Sequence, residues 1–295
     1  MNEQSLVTLR TKTLQLDLSP LIGGAIRNLF DLRSGTAKPL LRESHSDTVS
    51  VLDHACFPLV PFVNRIRGGQ FTFRGRTVAL APNMASDISP LHGQGWLTPW
   101  QVIDEDRTSA TLSFTHPAGE WPWSYRATQH FALDDGGLDL RMECTNLSDD
   151  PMPCGLGFHP YFSCTPDTVL DTSVDCVWEI DANVLPTVKA PAMGRFDLHQ
   201  RRVCGQGLDH GFGGWGGRTD IRDATTATHV VQTSPEAKFF QLYSPPTGGI
   251  FVAEPVTHAN ATLNAPEAEW PSLGMRVLDP GESMSLTMRL ALAAA

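Results

Sequence analysis

The stretch "YRATQHFALDDGGLDLRMECTN", residues 125–146, alternates apolar and polar side chains on both sides of "DDGG" at 134–137. A period of two residues is typical of β-strands that bury one face. A Gly-containing pair between two such runs favours a tight turn. This stretch therefore predicts two antiparallel strands joined by a hairpin.

The same alternation recurs along most of the chain. A second hairpin is predicted in "QFTFRGRTVAL" (70–80), where Arg74 and Gly75 separate two short runs. Helical spacing of apolar residues is nearly absent, and 22 Pro and 25 Gly interrupt longer elements. The pattern predicts an all-β fold, a large antiparallel β-sandwich with very little helix. Further strands are predicted in "SATLSFTH", "TSVDCVWEID", "HVVQTS", "KFFQLYS" and "ESMSLTMRLAL".

Two sheets packed face to face bury one face of each sheet and leave the other in water. We therefore expect functional side chains on a concave outer face or at the loop-rich ends of the strands. The 295 residues contain no linker, low-complexity tract or internal repeat. A single domain is expected over residues 1–295.

The charge balance restricts the partners. The net charge of −10, from 22 Lys and Arg against 32 Asp and Glu, opposes binding to nucleic acid and favours a neutral or cationic partner. The opening "MNEQSLVTLR" lacks the apolar core of a signal peptide, and no apolar run is long enough to span a bilayer. We expect a cytoplasmic protein that does not bind membranes.

The cysteines are far apart and form no CxxC pair, so we interpret them as buried thiols. A metal site built from Cys154, His159 and Cys164 can be drawn, but its spacing matches no usual zinc pattern, and no metal site is expected. The six cysteines are Cys56, Cys144, Cys154, Cys164, Cys176 and Cys204.

Polar residues break the alternating strand pattern at two places in the first third of the chain. "PFVNRIRGG" (61–69) places Asn64 and Arg65 between apolar residues before a turn. The Arg fork suits paired oxygens of a ligand, although it could equally cap loop carbonyls. "SPLHGQGWLTPW" (89–100) holds His92 among glycines and two tryptophans, which could stack on a ligand or cover a loop.

Polar residues break the strand pattern at two further places, and one Gly-rich loop completes the set of candidate site residues. "GLGFHPYFSC" presents His159 before a proline, and an imidazole can transfer a proton at neutral pH unless a core carbonyl holds it. "FVAEPVTHANATLN" presents Glu254 before Pro255. "GLDHGFGGWGG" places Asp209 in what reads as a Gly-rich loop.

These candidates share one kind of chemistry. The set contains no nucleophile motif, no phosphate-binding glycine loop and no metal cluster, so no cofactor is expected. Amide, guanidinium, imidazole and carboxylate groups beside aromatic rings suit a neutral polyhydroxyl ligand. The sequence therefore indicates a sugar.

The order of the motifs "NRI", "HGQGW", "HPYF", "GLDHGF", "GIFVAEP" and "GMRVLDPGES" resembles the aldose 1-epimerase (galactose mutarotase-like) family from about residue 20 to the C-terminus. The resemblance implies that family's β-supersandwich, and an enzyme that interconverts the α and β anomers of a free monosaccharide.

The resemblance also implies roles for individual residues. Glu254 matches the base that takes the proton of the C1 hydroxyl, and His159 matches the acid that protonates the ring oxygen. The residues that match those holding the sugar hydroxyls are Arg65, His92 and Asp209, with Asn64 as a weaker addition. An ordinary carboxyl pKa of about 4.3 would leave Glu254 ionised at pH 7.

The chain departs from the family pattern over residues 255–264, so contacts near C1 and C2 are expected to differ. A hexose-6-phosphate 1-epimerase is an alternative, since Arg67, Arg74 and Arg76 follow Arg65 closely. A noncatalytic carbohydrate-binding protein is another alternative. A glycosidase could instead use Glu254 and Asp209 as its carboxylate pair.

Overall fold

A computed structural model describes residues 6–45 and 48–293. The single domain expected over residues 1–295 therefore extends beyond the described residues at both ends. The first half of the opening "MNEQSLVTLR", on which the expected location rests, also lies outside them.

The described residues form 24 strands, which confirms that the fold is almost all-β. They are β1 Val7–Arg10, β2 Leu14–Ser19, β3 Ala25–Asp31, β4 Lys38–Pro39, β5 Cys56–Leu59, β6 Gln70–Phe73, β7 Arg76–Ala79, β8 Gln101–Glu105, β9 Ser109–His116, β10 Tyr125–Asp134, β11 Gly137–Asn146, β12 Met152–Cys154, β13 Gly157–Ser163, β14 Val169–Thr172, β15 Cys176–Ile180, β16 Pro186–Pro191, β17 Arg201–Arg202, β18 Leu208–Gly213, β19 Arg218–Asp223, β20 Thr228–Thr233, β21 Phe239–Ser244, β22 Ile250–Val256, β23 Arg276–Leu278 and β24 Ser283–Leu292.

Helix within these ranges is limited to short 3-10 segments, as the sequence predicts. None of them is long and apolar enough to cross a membrane. They are Val51–Asp53, Arg67–Gly69, Gly95–Leu97, Gly194–Phe196, Thr262–Asn264 and Glu267–Glu269.

Both predicted hairpins are confirmed. β10 and β11 pair over their whole lengths, from Tyr125 opposite Asn146 to Asp134 opposite Gly137. β6 and β7 pair across a turn in which Arg74 and Gly75 both have positive φ angles. The turn residues thus fix the registers that the alternating pattern requires.

Two large antiparallel sheets build the sandwich. The first has eleven strands in the order β1-β2-β3-β5-β13-β22-β21-β18-β15-β16, with β4 paired to β3. The second has nine strands in the order β17-β14-β19-β20-β24-β11-β10-β9-β8. Two small sheets, β12-β23 and β6-β7, complete the fold.

The main core contains apolar residues of both large sheets. Phe158 and Phe251 contribute from the eleven-stranded sheet, and Phe131 and Leu286 contribute from the nine-stranded sheet. These side chains are almost fully buried. Burial of their apolar surface stabilises the packing of one sheet on the other.

The outer face of the eleven-stranded sheet, which is turned away from this core, is not left in water at its centre. β5, β13 and β22 are buried on nearly every residue of both faces. On the outer face Phe57, Tyr161, Val252 and Val256 belong to a second apolar cluster. The expectation of a wet outer face is therefore wrong for these strands, because loops fold back over them.

The cysteines correct a second expectation. Cys164 and Cys204 form a disulfide, so the interpretation of all six as thiols is wrong for this pair. The bond also removes Cys164 from the conceivable metal set. Of the remaining thiols, Cys56, Cys144 and Cys154 are buried and Cys176 is half-buried.

Candidate active site

His159 and Glu254 lie side by side on adjacent strands at the outer face of the eleven-stranded sheet. β13 and β22 are antiparallel with Tyr161 opposite Val252, so two residues further along His159 lies opposite Glu254. His159 Nε2 is 3.5 Å from Glu254 Oε1. Two side chains nearly a hundred residues apart in sequence are thus brought into contact.

Neighbouring strands extend this row. Phe57 on β5 lies opposite His159, and their rings stack with centroids 4.4 Å apart and planes inclined by 17°. Gln241 on β21 lies opposite Glu254. The row therefore has an aromatic ring at one end and a carboxamide at the other.

Both central side chains carry a polar atom without a protein partner. Glu254 is 2% exposed and His159 is 8% exposed. Among the described residues, Glu254 Oε2 and His159 Nδ1 have no hydrogen-bond partner. A buried polar group without a partner costs about 1–3 kcal/mol, so a ligand that supplies hydroxyl groups would relieve the cost.

Burial changes the proton affinity of both groups. Burial, reinforced by the Asp209 carboxyl and opposed by Arg65, holds the pKa of Glu254 well above its usual range. The ordinary pKa expected from sequence is therefore wrong, because packing removes water from the carboxyl. Burial lowers the pKa of His159 to about 3, with a smaller contribution from Arg42.

A pair of loops holds the next two candidates together. Asn64 N–H donates to His92 Nδ1 at 3.0 Å, and His92 N–H donates to Asn64 O at 3.0 Å. Both residues have positive φ angles, 60° and 58°, a conformation that is uncommon for residues with a side chain. Because Nδ1 accepts, the neutral His92 ring carries its proton on Nε2 and can donate there.

Arg65 is fixed by side-chain oxygens. Its Nε donates to Asp87 Oδ2 at 2.8 Å, and its Nη1 donates to Asn64 Oδ1 at 3.1 Å. None of these bonds goes to a loop carbonyl, which was the alternative interpretation of this residue. The Arg65 side chain is nine-tenths buried and lines the cavity described below.

Asp209 lies in strand β18 rather than in the Gly-rich loop that the sequence indicates. Its Oδ1 accepts a bond from Gln241 Nε2 at 2.7 Å. Burial raises the pKa of the Asp209 carboxyl, although Arg65 and the bond from Gln241 oppose the shift. The loop interpretation fails because Gly211 and Gly213 are part of the strand.

All six predicted site residues line one cavity of about 300 Å³. Phe57, Leu91 and Trp96 give it apolar walls, whereas Trp100 is buried in the main core. The polar lining residues that the sequence did not single out are Ser86, Asp87, Tyr161, Gln241 and Tyr243.

The arginines that suggested a phosphate site lie elsewhere. Arg67 pairs with Asp181, Arg74 lies over Phe73, and Arg76 lies over Trp123. None of the three lines the cavity, and no residue of 255–264 does. Besides the two histidines, the guanidinium and carboxyl groups that line it belong to Arg65, Asp87, Asp209 and Glu254.

A larger cleft of about 820 Å³ contains none of the predicted site residues. Its walls include Trp178, Lys189, Lys238 and Arg276. Within the described residues, none of the buried unpartnered polar atoms belongs to it. Chemistry at buried acid and base groups therefore points to the smaller cavity.

Known proteins resemble this chain in sequence. A family model described as aldose 1-epimerase matches residues 5–291. An uncharacterized protein of Escherichia coli K12, YphB, is 32% identical over 97% of this chain and 98% of its own length. An aldose 1-epimerase of the same organism is 27% identical over 49% of this chain and 40% of its own length.

Solved structures share the fold. A crystal structure from Escherichia coli K12, named as a candidate aldose 1-epimerase, has a TM-score of 0.88 and 29% identity, with 99% of each chain covered. A galactose mutarotase-like protein of Clostridium acetobutylicum has a TM-score of 0.84 and 21% identity, with 99% of this chain and 96% of that chain covered. The expected β-supersandwich is therefore confirmed.

Proposed function

Because the chain belongs to the aldose 1-epimerase family, we propose that it interconverts the α and β anomers of a free aldose. The observation that carries the proposal is the contact between His159 and Glu254 at 3.5 Å inside one cavity. A hemiacetal opens when one oxygen loses a proton while its neighbour gains one, so an acid and a base must flank a single carbon.

In the proposed reaction Glu254 takes the proton of the C1 hydroxyl. The bond between C1 and the ring oxygen breaks, and His159 delivers a proton to that oxygen. Rotation about the C1–C2 bond and closure on the other face reverse both transfers, so no proton is consumed. Each well-placed acid or base contributes roughly 10²–10⁴-fold.

The two groups act as one titrating pair because they are in contact. The raised pKa of Glu254 and the lowered pKa of His159 favour the uncharged pair. For the reaction the pair's proton lies on His159 and the Glu254 carboxylate is ionised. Coulombic attraction across 3.5 Å offsets part of the cost of burying these two charges.

The remaining candidates hold the sugar in this proposal. His92 Nε2 and Arg65 donate to hydroxyl oxygens, Asp209 accepts from hydroxyls, and Asn64 keeps His92 and Arg65 in place. Phe57, whose ring stacks on His159 and on Trp96, gives the cavity an apolar wall beside the acid. A cavity of about 300 Å³ suits a single pyranose.

The charges of the cavity weigh against a hexose-6-phosphate 1-epimerase. One guanidinium faces three carboxyl groups, and it already pairs with Asp87. A noncatalytic carbohydrate-binding protein would need the hydroxyl-binding groups but not the unpartnered Glu254 and His159 atoms. We therefore favour the enzyme.

The experiment is polarimetry on the purified protein with a panel of freshly dissolved pure anomers of hexoses, pentoses and deoxy sugars. The proposal predicts faster mutarotation of at least one free aldose and no release of nitrophenol from aryl glycosides. Nitrophenol release would identify a glycosidase instead. Binding without acceleration of any aldose would identify a noncatalytic sugar binder.

A further inference from the structure

The loop that carries Asn64 and Arg65, here called the Arg65 loop (residues 61–67), is held by the segment that follows the Glu254 strand. Three side chains of this segment accept hydrogen bonds from alternate backbone amides of the loop. The pairs are Val63 N–H to His258 Nε2 at 2.9 Å, Arg65 N–H to Asn260 Oδ1 at 3.1 Å, and Arg67 N–H to Asn264 Oδ1 at 2.7 Å.

These three acceptors lie in residues 255–264, where the chain departs from the family pattern. The sequence led us to expect altered contacts near C1 and C2 of the sugar. No residue of the segment lines the cavity. The three hydrogen bonds give the segment a route to the sugar by way of the Arg65 loop.

His258 fits its place closely. It is 2% exposed, its Nδ1 donates to Ala259 O at 2.8 Å, and its Nε2 accepts from Val63. Both ring nitrogens are therefore used in a single neutral tautomer. Burial, opposed by the bond to Ala259, lowers the pKa of His258 to about 4, so the ring stays neutral at pH 7.

The His258 ring occupies space that is free because residue 155 is a glycine without a Cβ. A Cβ at position 155 would lie 2.0 Å from His258 Cδ2, so the buried ring would have to move. Gly155 N–H also donates to Pro61 O at 2.7 Å. One glycine thus contacts both the ring and the start of the Arg65 loop.

Asn260 joins the loop to a third part of the chain. Its Oδ1 accepts from Arg65 N–H, and its Nδ2 donates to Val184 O at 2.8 Å in the turn between β15 and β16. The Arg65 guanidinium is held separately by Asp87 and Asn64. The backbone and the side chain of Arg65 therefore have independent supports.

We propose that His258 and Asn260 are positioning residues that fix the Arg65 loop over the cavity and so set the affinity for the sugar rather than the rate of proton transfer. The inference rests on the proposed function for its meaning, since Arg65 and Asn64 are the hydroxyl-binding groups of that site. Within the described residues no hydrogen bond joins the loop to the Glu254 carboxyl, and the contact between His159 and Glu254 at 3.5 Å does not involve the loop. The Arg65 charge lowers the pKa of Glu254, but Asp87 and Asn64 hold the guanidinium independently of His258 and Asn260.

Matched substitutions test the Asn260 and His258 contacts with the Arg65 loop separately. Asn260→Ala removes both bonds, whereas Asn260→Asp keeps the acceptor for Arg65 N–H and loses only the donor to Val184. His258→Leu removes the acceptor for Val63 N–H, whereas His258→Gln keeps an oxygen near it. Asn146→Ala is the control, because Asn146 is a fully buried Asn that fastens the 146–150 turn away from the cavity.

The full-length variants are measured in two ways. Amide hydrogen exchange should accelerate at Val63 and Arg65 in Asn260→Ala and His258→Leu. KM for the aldose that the wild type uses best should rise roughly 10-fold with kcat within about threefold, as expected for loss of one buried bond. Asn260→Asp and His258→Gln should recover most of the affinity, and Asn146→Ala should leave KM unchanged.

Unchanged KM and unchanged exchange at Arg65 in Asn260→Ala, with an active wild type, overturn the inference. A fall in kcat equal to the rise in KM also overturns it, since the loop would then act on the chemical step. An inactive wild type counts against the proposed function, and amide exchange still decides whether these side chains hold the loop. If Asn260→Ala does not fold, His258→Leu against His258→Gln gives the same comparison for the bond to Val63 N–H.

Discussion

Glu254 is proposed as the base, and its ionisation while buried lowers the stability of the folded protein. Its carboxyl is 2% exposed, and burial holds its pKa well above the usual range. The native state therefore binds the proton more tightly than the unfolded chain does. The stabilisation from this proton is present at acidic pH and is lost as pH rises through the raised native pKa.

Glu254→Gln should consequently be more stable than the wild type at pH 8, because the amide needs no proton to be neutral. The difference should shrink as the pH falls towards 4.5, where the wild-type carboxyl is protonated. Urea unfolding at both pH values measures it. Glu43→Gln, at an exposed position, is the control, and a Glu254→Gln variant less stable than wild type at pH 8 would contradict this account.

Asp87 supports Arg65 and should matter for affinity. Asp87→Asn removes the charge that faces Arg65 Nε at 2.8 Å but keeps an oxygen for the bond from Ser89 N–H. We expect KM to rise roughly 10-fold with little change in kcat, in line with a charged hydrogen bond. Steady-state polarimetry measures both constants.

The control for this variant is Asp31→Asn. Asp31 pairs with Arg33 at 2.9 Å, outside the cavity. Its KM should match that of the wild type. Equal KM values for the wild type and Asp87→Asn would remove Asp87 from the sugar site.

Sequence reasoning found residues whose surroundings break the strand pattern and missed those that obey it. His159 and Glu254 stand before prolines in apolar runs, so they attract notice. Gln241 occupies a polar position of an alternating strand and looks like an ordinary solvent-facing residue. Asp87 lies in a loop without any motif, and only its contact with Arg65, 22 residues away, reveals it.

At the scale of elements, alternation predicted the strands well where one face is in water. β9, β10 and β11 coincide with the predicted runs and alternate between buried and exposed or half-exposed residues. β13 is buried on both faces and carries no such alternation. The site lies on this kind of strand because only a doubly covered strand can bury an acid and a base.

The disulfide is an element-scale feature that spacing could not predict. It joins the residue after β13 to the segment between β17 and β18 and closes a span of 40 residues. Cys204→Ser should lower the free energy of unfolding by roughly 2–4 kcal/mol, as removal of such a cross-link typically does.

Urea unfolding with and without reductant tests this expectation. Reductant should lower wild-type stability to that of Cys204→Ser and should leave the variant unchanged. Cys176→Ser, which alters a half-buried free thiol, is the control. Equal stability of wild type and Cys204→Ser under oxidising conditions would speak against a structural role for the bond.

At the scale of the whole molecule, the net charge and the carboxyl groups of the cavity both disfavour an anionic sugar. The net charge is −10, and the cavity has three carboxyl groups against one guanidinium. A 6-phosphate group should therefore reduce kcat/KM by at least about 10-fold relative to the same free sugar. Added salt should narrow the gap, because it screens repulsion.

Polarimetry with an aldose and its 6-phosphate at two ionic strengths measures this discrimination. A deoxy sugar that lacks the 6-hydroxyl is the control for loss of that group alone. Preference for the phosphorylated sugar would support the alternative of a hexose-6-phosphate 1-epimerase.

The antiparallel sandwich follows from the local pattern, but the arrangement of its strands does not. β5, β13, β22 and β21 are neighbours in the sheet although almost two hundred residues separate the first from the last. Alternation shows which residues face inward and says nothing about which distant strand is the partner. The motif order suggested the family, and the sheet order is what brings the motifs into one cavity.

The most direct measurement of the central claim is the rate of anomer exchange for a free aldose, measured by NMR with wild type, Glu254→Gln and His159→Asn. We predict that the wild type accelerates exchange and that each variant, while retaining the wild-type circular dichroism spectrum, loses roughly 100-fold or more of that acceleration. Wild-type acceleration by either folded variant would contradict the assignment of this pair as the acid and base.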